Sequence, residues 1–341
     1  MFLGIEIGGS KLQLGVGNGE STELVKLVRA DVAPENGAAG ILQQIQHLGA
    51  PLIAEHPIQR VGVGFGGPVD AGTGRVIKSH QIEGWDDFPL SQWCRETLGV
   101  PVVLGNDCDS ATLAEARLGA GRGHHSVFYI TVGTGVGGGF VSGATLVGRN
   151  RPACSEIGHL RPGLQAEDPE ATVESVASGW GIVAAIQERI GGHMQTVPIQ
   201  TDNMGLDRVQ LQRRLADARE VEEEYTRDLL QRCQSDIDRI TGQIVAQAAT
   251  EGNLLAQSVI NHACRVLGWA IAQMITLLAP EVVVIGGGVS LMGEQLFFAP
   301  VRREVARYVF PPLAGHYRIE PAALGESVVV HGAILLAGQA G

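Results

Sequence analysis

The pair Asn106-Asp107 is the first place in this sequence where side-chain type and position suggest chemistry. It follows the apolar run Val100 to Leu104, which is typical of a buried strand, and precedes a helix predicted over Asp109 to Leu118. Polar side chains at the carboxyl end of an α/β strand lie where such sheets bind ligands. A carboxylate there can accept the proton of an attacking hydroxyl, and Asn106 can orient that hydroxyl. The alternative is that Asp107 only caps the following helix.

A second polar pair, Glu156 and His159, stands three positions apart. That spacing suits two side chains that grip neighbouring hydroxyls of a polyol from one turn or helix start. Carboxylates accept strong hydrogen bonds from hydroxyl groups, so the pair is suited to a sugar. A lone Glu and His at this spacing is otherwise an ordinary surface feature.

Three glycine-rich turns each follow a strand-like apolar run, and each can present backbone N–H groups to a polyphosphate. The turns are Gly8-Gly9-Ser10-Lys11, Gly133-Thr134-Gly135 and Gly286-Gly287-Gly288. Each alone also fits an ordinary turn, but together they favour a nucleotide. Residues 133–138 match the dinucleotide fingerprint as well; because strand character resumes after them, a hairpin is predicted instead of a Rossmann turn.

The elements around these turns indicate a duplicated α/β architecture. The pattern of strand, glycine turn and strand occurs at residues 2–16 and again at 127–141. Further buried strands are predicted at 60–64 and 281–285, and helical periodicity dominates residues 174–278. We therefore expect two lobes with a central cleft.

The predicted lobe boundaries follow from this duplication. A small α/β lobe takes residues 1–118, and a C-terminal helix in 326–341 packs back on it. A large α/β lobe takes residues 119–325 and carries a helical insertion around 190–262. The charged segment 206–240 is predicted to be a solvated or oligomer-facing helix.

The composition excludes several classes of protein. The chain has 341 residues, 45% of them hydrophobic, which is enough for two ordinary domains. A formal net charge of −11 argues against nucleic acid as a partner. The five cysteines form no C-x-x-C pair, and no apolar stretch reaches the ~18 residues of a membrane span, so a cytoplasmic protein without a membrane partner is expected.

The order of these motifs resembles that of the ROK family of repressors and sugar kinases, over nearly the whole chain. The resemblance implies the actin-like (ribonuclease H-like) fold of a duplicated two-lobe ATPase, ATP and Mg²⁺ as cofactors, a hexose or hexosamine as substrate, and a homodimer. The segments that carry it are E-I-G-G-S-K, G-G-P-V-D, N-D, G-T-G-V-G-G-G, E-I-G-H and P-E-V-V-V-I-G-G-G-V-S.

The resemblance also assigns roles to individual residues. By similarity, Asp107 is the general base. The implied sugar-binding residues are Gly67, Asn106, Asp107, Glu156, His159 and Glu174. The implied ATP-binding residues are Gly8, Gly9, Ser10, Lys11, Gly133, Thr134 and Gly135 at the phosphates, with Gly286, Gly287 and Gly288 near the adenosine.

The sequence departs from the family pattern at three places. Glu6 stands where the family usually has the Asp near Mg²⁺, so Glu6 is expected to serve the metal, directly or through water, and Ser10 replaces a Thr. The family's cysteine motif before Glu174 is missing, which predicts that there is no zinc site. The sugar-side segment usually reads S-P-N and here reads Ser79-His80-Gln81.

These observations favour an ATP-dependent, glucokinase-like sugar kinase. One alternative is a sugar-sensing regulator, but those relatives carry an N-terminal helix-turn-helix module and the first strand here begins at Phe2. Another alternative is a catalytically weak pseudokinase, suggested by Glu6 and the lost cysteine motif. The identity of the sugar and of the phosphorylated hydroxyl stay open.

Overall fold

The computed structural model describes residues 1–79, 81–148, 151, 153–163, 168, 170–191 and 223–339. Its strands form two five-stranded sheets and one two-stranded sheet, and helices pack on both large sheets. The strands are β1 (Phe2–Ile7), β2 (Lys11–Gly17), β3 (Lys26–Asp31), β4 (Arg60–Phe65), β5 (Val69–Asp70), β6 (Arg75–Val76), β7 (Val102–Asn106), β8 (Ser126–Val132), β9 (Val136–Ser142), β10 (Thr145–Leu146), β11 (Val282–Gly286) and β12 (Arg318–Pro321). The helices are α1 (Gly37–Glu55), α2 (Leu90–Leu98), α3 (Asp107–Leu118), α4 (Val173–Ala177), α5 (Gly179–Gly191), α6 (residues 223–232), α7 (Gly242–Thr250), α8 (Leu254–Leu278), α9 (Ala299–Tyr308) and α10 (Val328–Gln339).

The two large sheets have the same topology, which confirms the predicted duplication. The first sheet has the order β3-β2-β1-β4-β7 and the second has the order β10-β9-β8-β11-β12. In each sheet, three antiparallel strands continue into two parallel strands. The parallel strands β4 and β11, one in each sheet, are apolar runs buried on both faces, as expected where helices cover a sheet.

The second glycine turn joins two antiparallel strands, as the sequence predicts. Val132 pairs with Val136 and Thr131 with Gly137, so β8 and β9 form a hairpin and no dinucleotide-type helix follows. The turn is shorter than the run of glycines, because Gly137, Gly138 and Gly139 are part of strand β9.

Helix α10 lies between the first sheet and α3. It approaches the sheet where β1 and β4 carry glycine: a Cβ on Gly4 would overlap the carbonyl of Val330, and one on Gly62 would overlap the carbonyl of Ala333. On its other side, a Cβ on Gly332 would overlap the carbonyl of Ser110 in α3. Small residues thus allow three layers to pack at backbone distance.

Helices α4 to α9 pack around the second sheet, with the 25-residue α8 at their centre. Asn253 caps α8 by accepting the N–H of Ala256 at 3.0 Å. The predicted charged segment lies partly outside the described residues; from 223 to 232 it is helical, with Glu223 and Glu224 exposed. Within the described ranges, every helix is too short or too polar to cross a bilayer.

Candidate active site

Asn106 and Asp107 lie at the junction between β7 and α3. Asn106 caps the helix: its Oδ1 accepts the N–H of Cys108 at 2.8 Å and that of Asp109 at 3.3 Å. Its Nδ2 donates to the carbonyl of Gly67 at 2.9 Å. The predicted helix start at Asp109 is therefore wrong by two residues, and Asn106, not Asp107, is the capping residue of the helix.

Asp107, the first residue of α3, carries a carboxyl group suited to proton transfer. Its Oδ1 accepts the N–H of Cys108 at 2.8 Å. Burial, with a smaller contribution from the negative charge of Glu156, raises the pKa of Asp107 to about 6 against the opposing effect of the hydrogen bonds from Cys108. A carboxyl group with this pKa can accept a proton near neutral pH.

The first glycine turn lies beside that carboxyl group. The N–H of Gly8 donates to the carbonyl of Lys11 at 3.0 Å, and the N–H of Gly66 donates to the carbonyl of Ile7 at 2.8 Å. A Cβ built on Gly66 would lie 3.5 Å from Asp107 Oδ2 and 3.7 Å from the Cα of Gly8. Gly66 is thus the spacer between the candidate base and the first turn, and a side chain there would fill the space between them.

Glu6, on β1, is buried behind the same turn and has two polar partners. Its Oε1 lies 3.3 Å from Lys11 Nζ, and its Oε2 accepts from Gln13 Nε2 at 2.6 Å. Burial raises the pKa of Glu6, Lys11 and Gln13 oppose the rise, and the charge of Asp107 adds to it. The two carboxyl groups, Glu6 and Asp107, are therefore close enough to interact.

These residues fit only one mode of Mg²⁺ binding, in which most of the ligands come from the nucleotide and from water. Within the described ranges, no three His, Cys, Asp or Glu side chains are grouped to share an ion. A single buried carboxyl group beside a glycine turn is sufficient for an ion whose other ligands are nucleotide phosphates and water. It is too few protein ligands for a site made by the protein alone. Since Lys11 and Gln13 already engage both oxygens of Glu6, contact through water fits better than direct ligation.

The second and third turns lie next to each other, at the ends of the neighbouring strands β8 and β11 of the second sheet. A Cβ on Gly133 would lie 3.9 Å from the backbone N of Gly288. Gly287 has φ +89°, and a Cβ there would lie 2.5 Å from the carbonyl of Val132, so only glycine fits. The tip residue Thr134 is exposed, as is Ser10 at the tip of the first turn. Both tips are thus open to a ligand.

Glu174 and Glu156 link the second turn to Asp107. Glu174, in α4, accepts the N–H of Val136 at 2.8 Å through Oε2, directly beside the turn. Glu156 is exposed, yet the surrounding protein removes part of its hydration and raises its pKa; His159 opposes the rise and Glu174 adds to it. The structure therefore brings Asp107, Glu156, His159 and Glu174 into one electrostatically coupled group.

The backbone before Glu156 is in an uncommon conformation. Ser155 has φ +60°, the left-handed region that non-glycine residues seldom adopt. Its carbonyl packs on β9, where a Cβ on Gly138 would lie 2.6 Å away. Glu156 then begins the 3₁₀ turn Ile157–His159. Strained backbone of this kind concentrates at functional sites, because the surrounding structure must hold it.

Two contacts of the site were not predicted from the sequence. A Cβ on Gly9 would overlap Gln81 Oε1, so the Gln81 side chain covers the first turn. Gln13, which holds Glu6, also donates to the carbonyl of Glu326 at 2.9 Å. The altered Ser79-His80-Gln81 segment was a signal for the first contact, although His80 itself lies outside the described residues.

The absence of zinc stays a prediction. The segment that would supply ligands runs from 160 to 173, and residues 164–167 and 169 lie outside the described part of the chain. Elemental analysis of the purified protein tests it; one zinc ion per chain that is lost on His159→Ala would contradict it.

Comparison with known proteins identifies the class. The chain belongs to the ROK family, whose profile it matches over residues 2–340. The crystal structure of a ROK family glucokinase from Streptomyces griseus, in complex with glucose and AMPPNP, superposes with a TM-score of 0.77 at 28% identity and covers 99% of both chains. The actin-like ATPase fold predicted from the sequence is thereby confirmed.

Curated relatives of similar length include enzymes with different sugars. The glucokinase of Thermotoga maritima is 28% identical over 339 residues, which span 97% of this chain and 95% of the relative. The N-acetylmannosamine kinase of Escherichia coli is 28% identical over 344 residues, which span 97% of this chain and 98% of the relative.

Proposed function

We propose that this protein is an ATP-dependent sugar kinase that transfers the γ-phosphoryl group of Mg-ATP to a hydroxyl of a hexose or hexosamine. The observation that carries the proposal is the setting of Asp107. Its carboxyl group begins a helix at the end of a sheet strand, has a pKa near 6, and faces the first glycine turn across Gly66. The kinases among the similar proteins support the same reaction type.

In this proposal the sugar lies between Asp107 and the Glu156–Glu174 group. Glu156 and His159 accept and donate hydrogen bonds to neighbouring hydroxyls, and Glu174 lies behind them against the second turn. Asn106 is fixed by α3 and by Gly67, so this corner of the site is held in place before any sugar arrives.

Asp107 is the general base of the proposed reaction. It accepts the proton of the attacking hydroxyl while that oxygen forms a bond to the γ-phosphorus. The bond between this phosphorus and the β–γ bridging oxygen breaks, and ADP leaves. Phosphoryl transfer demands mainly positioning and charge compensation, so one base and well-placed donors are sufficient.

The glycine turns are the proposed phosphate site. Gly8, Gly9, Ser10 and Lys11 face it from one lobe, and Gly133, Thr134 and Gly135 from the other, with Gly286 to Gly288 toward the adenosine. When bound, Mg²⁺ supplies charge compensation at the terminal phosphates. Glu6 would hold its water shell, since Lys11 and Gln13 fix the Glu6 carboxyl group at this position.

A coupled ATP-consumption assay tests the function. Glucose and N-acetylmannosamine come first in a panel of hexoses and hexosamines, because both are named among the similar kinases. Sugar-dependent ADP formation and a phosphorylated sugar seen by mass spectrometry are expected. Sugar binding without turnover on the whole panel would support the alternatives, a sugar-sensing regulator or a weak pseudokinase.

We also propose that the protein acts in the cytoplasm as a homodimer. The cytoplasm supplies ATP for the reaction. All five cysteines are free thiols in the structure, as is usual in a reducing compartment. The dimer rests on the family resemblance, and light scattering coupled to size exclusion tests it; a monomer at micromolar concentration would contradict it.

A further inference from the structure

Glu115 is a fully buried acid that the proposed chemistry does not use. It lies on α3 with 0% exposure. Its Oε2 accepts the N–H of Ala120 at 2.8 Å, and its Oε1 accepts the N–H groups of Ala323 and Leu324, both at 2.9 Å. One side chain therefore satisfies three backbone donors, and each would be costly to leave unpaired.

These three donors belong to the two connections between the sheets. The chain leaves the first sheet after α3 and enters the second at β8, through residues 119–125. It returns from β12 to α10 through residues 322–327. Ala120 lies in the outgoing connection, and Ala323 and Leu324 lie in the returning one, so Glu115 binds both at one point.

The returning connection is also bound by the residues around Glu6. The carbonyl of Glu326 accepts from Lys11 Nζ at 3.2 Å and from Gln13 Nε2 at 2.9 Å. Residues 323–326 are therefore held between Glu115 on one side and the first glycine turn on the other. Lys11 and Gln13 also bind Glu6, so these two side chains link the segment to Glu6.

Helix α3 connects Glu115 to Asp107. The two residues are eight positions apart, about two helical turns. At the Asp107 end, a Cβ on Gly137 would overlap Cys108 Sγ, so the start of α3 touches strand β9 of the second sheet. The placement of α3 between the connections therefore sets the distance from the base to the second glycine turn.

We propose that Glu115 is a positioning residue: by binding both connections it sets the relation between Asp107 in one lobe and the phosphate and sugar groups of the other. This rests on the proposed function, because the distance it sets matters for phosphoryl transfer. A misplacement of about 1 Å can lower a rate about 100-fold even when it arises far from the chemistry.

Two variants test the inference, with one matched control. Glu115→Gln turns one acceptor oxygen into an NH₂ group that faces backbone donors. Gly119→Ala keeps the acid but places a methyl group on Glu115 Oε2, at a residue whose φ is negative (−108°). The control is Glu304→Gln in α9, which alters another buried acid, 7% exposed, away from the connections.

Two measurements are made well below the melting temperature, so that loss of folded protein does not contribute. We expect kcat to fall about 10- to 100-fold in Glu115→Gln and in Gly119→Ala, and to change less than about twofold in Glu304→Gln. The second measurement is the maleimide alkylation rate of Cys108, read by peptide mass spectrometry in the protein without ligands. It should rise at least about fivefold in both variants, because the contact between Cys108 and Gly137 loosens.

The outcomes separate this inference from the proposed function. An alkylation rate unchanged in Glu115→Gln and Gly119→Ala overturns the inference, whatever the activity. A raised alkylation rate with unchanged kcat overturns it too, because the distance would then not matter for the reaction. If the wild type phosphorylates no sugar, the proposed function fails and the alkylation rates alone decide. If Glu115→Gln does not fold, Gly119→Ala carries the test.

Discussion

Replacing Asp107 by Asn should have opposite effects on activity and on stability. Asn has the same shape and can still accept the N–H of Cys108, so the site keeps its geometry. It cannot accept a proton from the sugar. We expect kcat to fall about 10²- to 10⁴-fold, the usual contribution of a positioned general base, with the KM for ATP nearly unchanged.

The stability effect follows from the pKa of the same group. The folded protein raises the pKa of Asp107 from 3.8 to about 6, so the charged form costs about 3 kcal/mol at 1.36 kcal/mol per pKa unit. The side chain is only partly buried, and water at the cleft reduces this cost to about 1–3 kcal/mol. The asparagine variant lacks the charge and should be more stable by that amount at pH 8.

The pH dependence of this stability gain has a definite sign. Well below pH 3.8, Asp107 is protonated in both the folded and the unfolded state, and the variant gains nothing. As pH rises from about 4 to 6, the unfolded wild type ionises this group while the folded protein keeps it protonated, so the gain grows, and it is complete above about pH 7. With an unfolding entropy of about 0.7 kcal/mol/K for 341 residues, 1–3 kcal/mol raises Tm by about 1–4 °C.

The assay combines steady-state kinetics with thermal scans at pH 4, 6 and 8. Asp109→Asn is the matched control, because it makes the same charge change in the same helical turn and leaves the proposed base, Asp107, unsubstituted. It should change kcat less than about threefold. Near wild-type kcat in Asp107→Asn would remove Asp107 from the base role. A Tm gain equal at pH 4 and pH 8 would refute the electrostatic argument even if kcat falls.

Three further predictions concern the same cleft. The kcat/KM of the wild type should fall tenfold per pH unit below about pH 6, because Asp107 must be ionised to accept a proton. Glu156→Gln removes a neighbouring negative charge and should move this acid limb of the pH profile to lower pH. An acid limb at the same pH in Glu156→Gln would contradict the electrostatic coupling between Glu156 and Asp107. Glu6→Gln should raise the Mg²⁺ concentration for half-maximal activity about 10-fold, measured by titration at fixed ATP, and an unchanged titration would separate Glu6 from the metal. Trp180 is 47% exposed and follows Gly179, whose N–H donates to the second glycine turn. ATP should therefore reduce acrylamide quenching of Trp180 fluorescence, and Trp180→Phe should abolish the change. Persistence of the change in that variant would place the signal in another tryptophan.

The strands around the site were predictable because each is an apolar run with a glycine turn at its end. The run Phe2 to Ile7 and the hairpin at Val132 to Val136 both appear where the pattern places them. The start of α3 was not predictable to the residue, since Asn106, Asp107 and Asp109 are all good capping residues. The choice depends on Gly67, which lies between β4 and β5 and accepts a hydrogen bond from the Asn106 side chain.

Other elements lack a local signal. Strand β3 (Lys26–Asp31) mixes charged and apolar residues, has no buried residue and lies at a sheet edge, so its pairing with β2 decides its conformation. Helix α1 contains Pro51 and several glycines, which are poor helix formers, yet it buries Ile41, Ile45 and Leu52 against the first sheet. Tertiary packing outweighs propensity in both cases.

The contacts that organise the site are long-range, and this explains why the motifs alone do not reveal them. Glu115 reads in the sequence as one more polar residue of an amphipathic helix, and its partners Ala323 and Leu324 lie more than 200 positions away. The motifs supply the groups that touch substrate, and each can be recognised locally. The distance between Asp107 in one lobe and the second glycine turn in the other is fixed by neither motif. It depends on how the two connections are held, which makes Glu115, a residue outside every motif, a stronger test of the two-lobed mechanism than another substitution within the glycine turns.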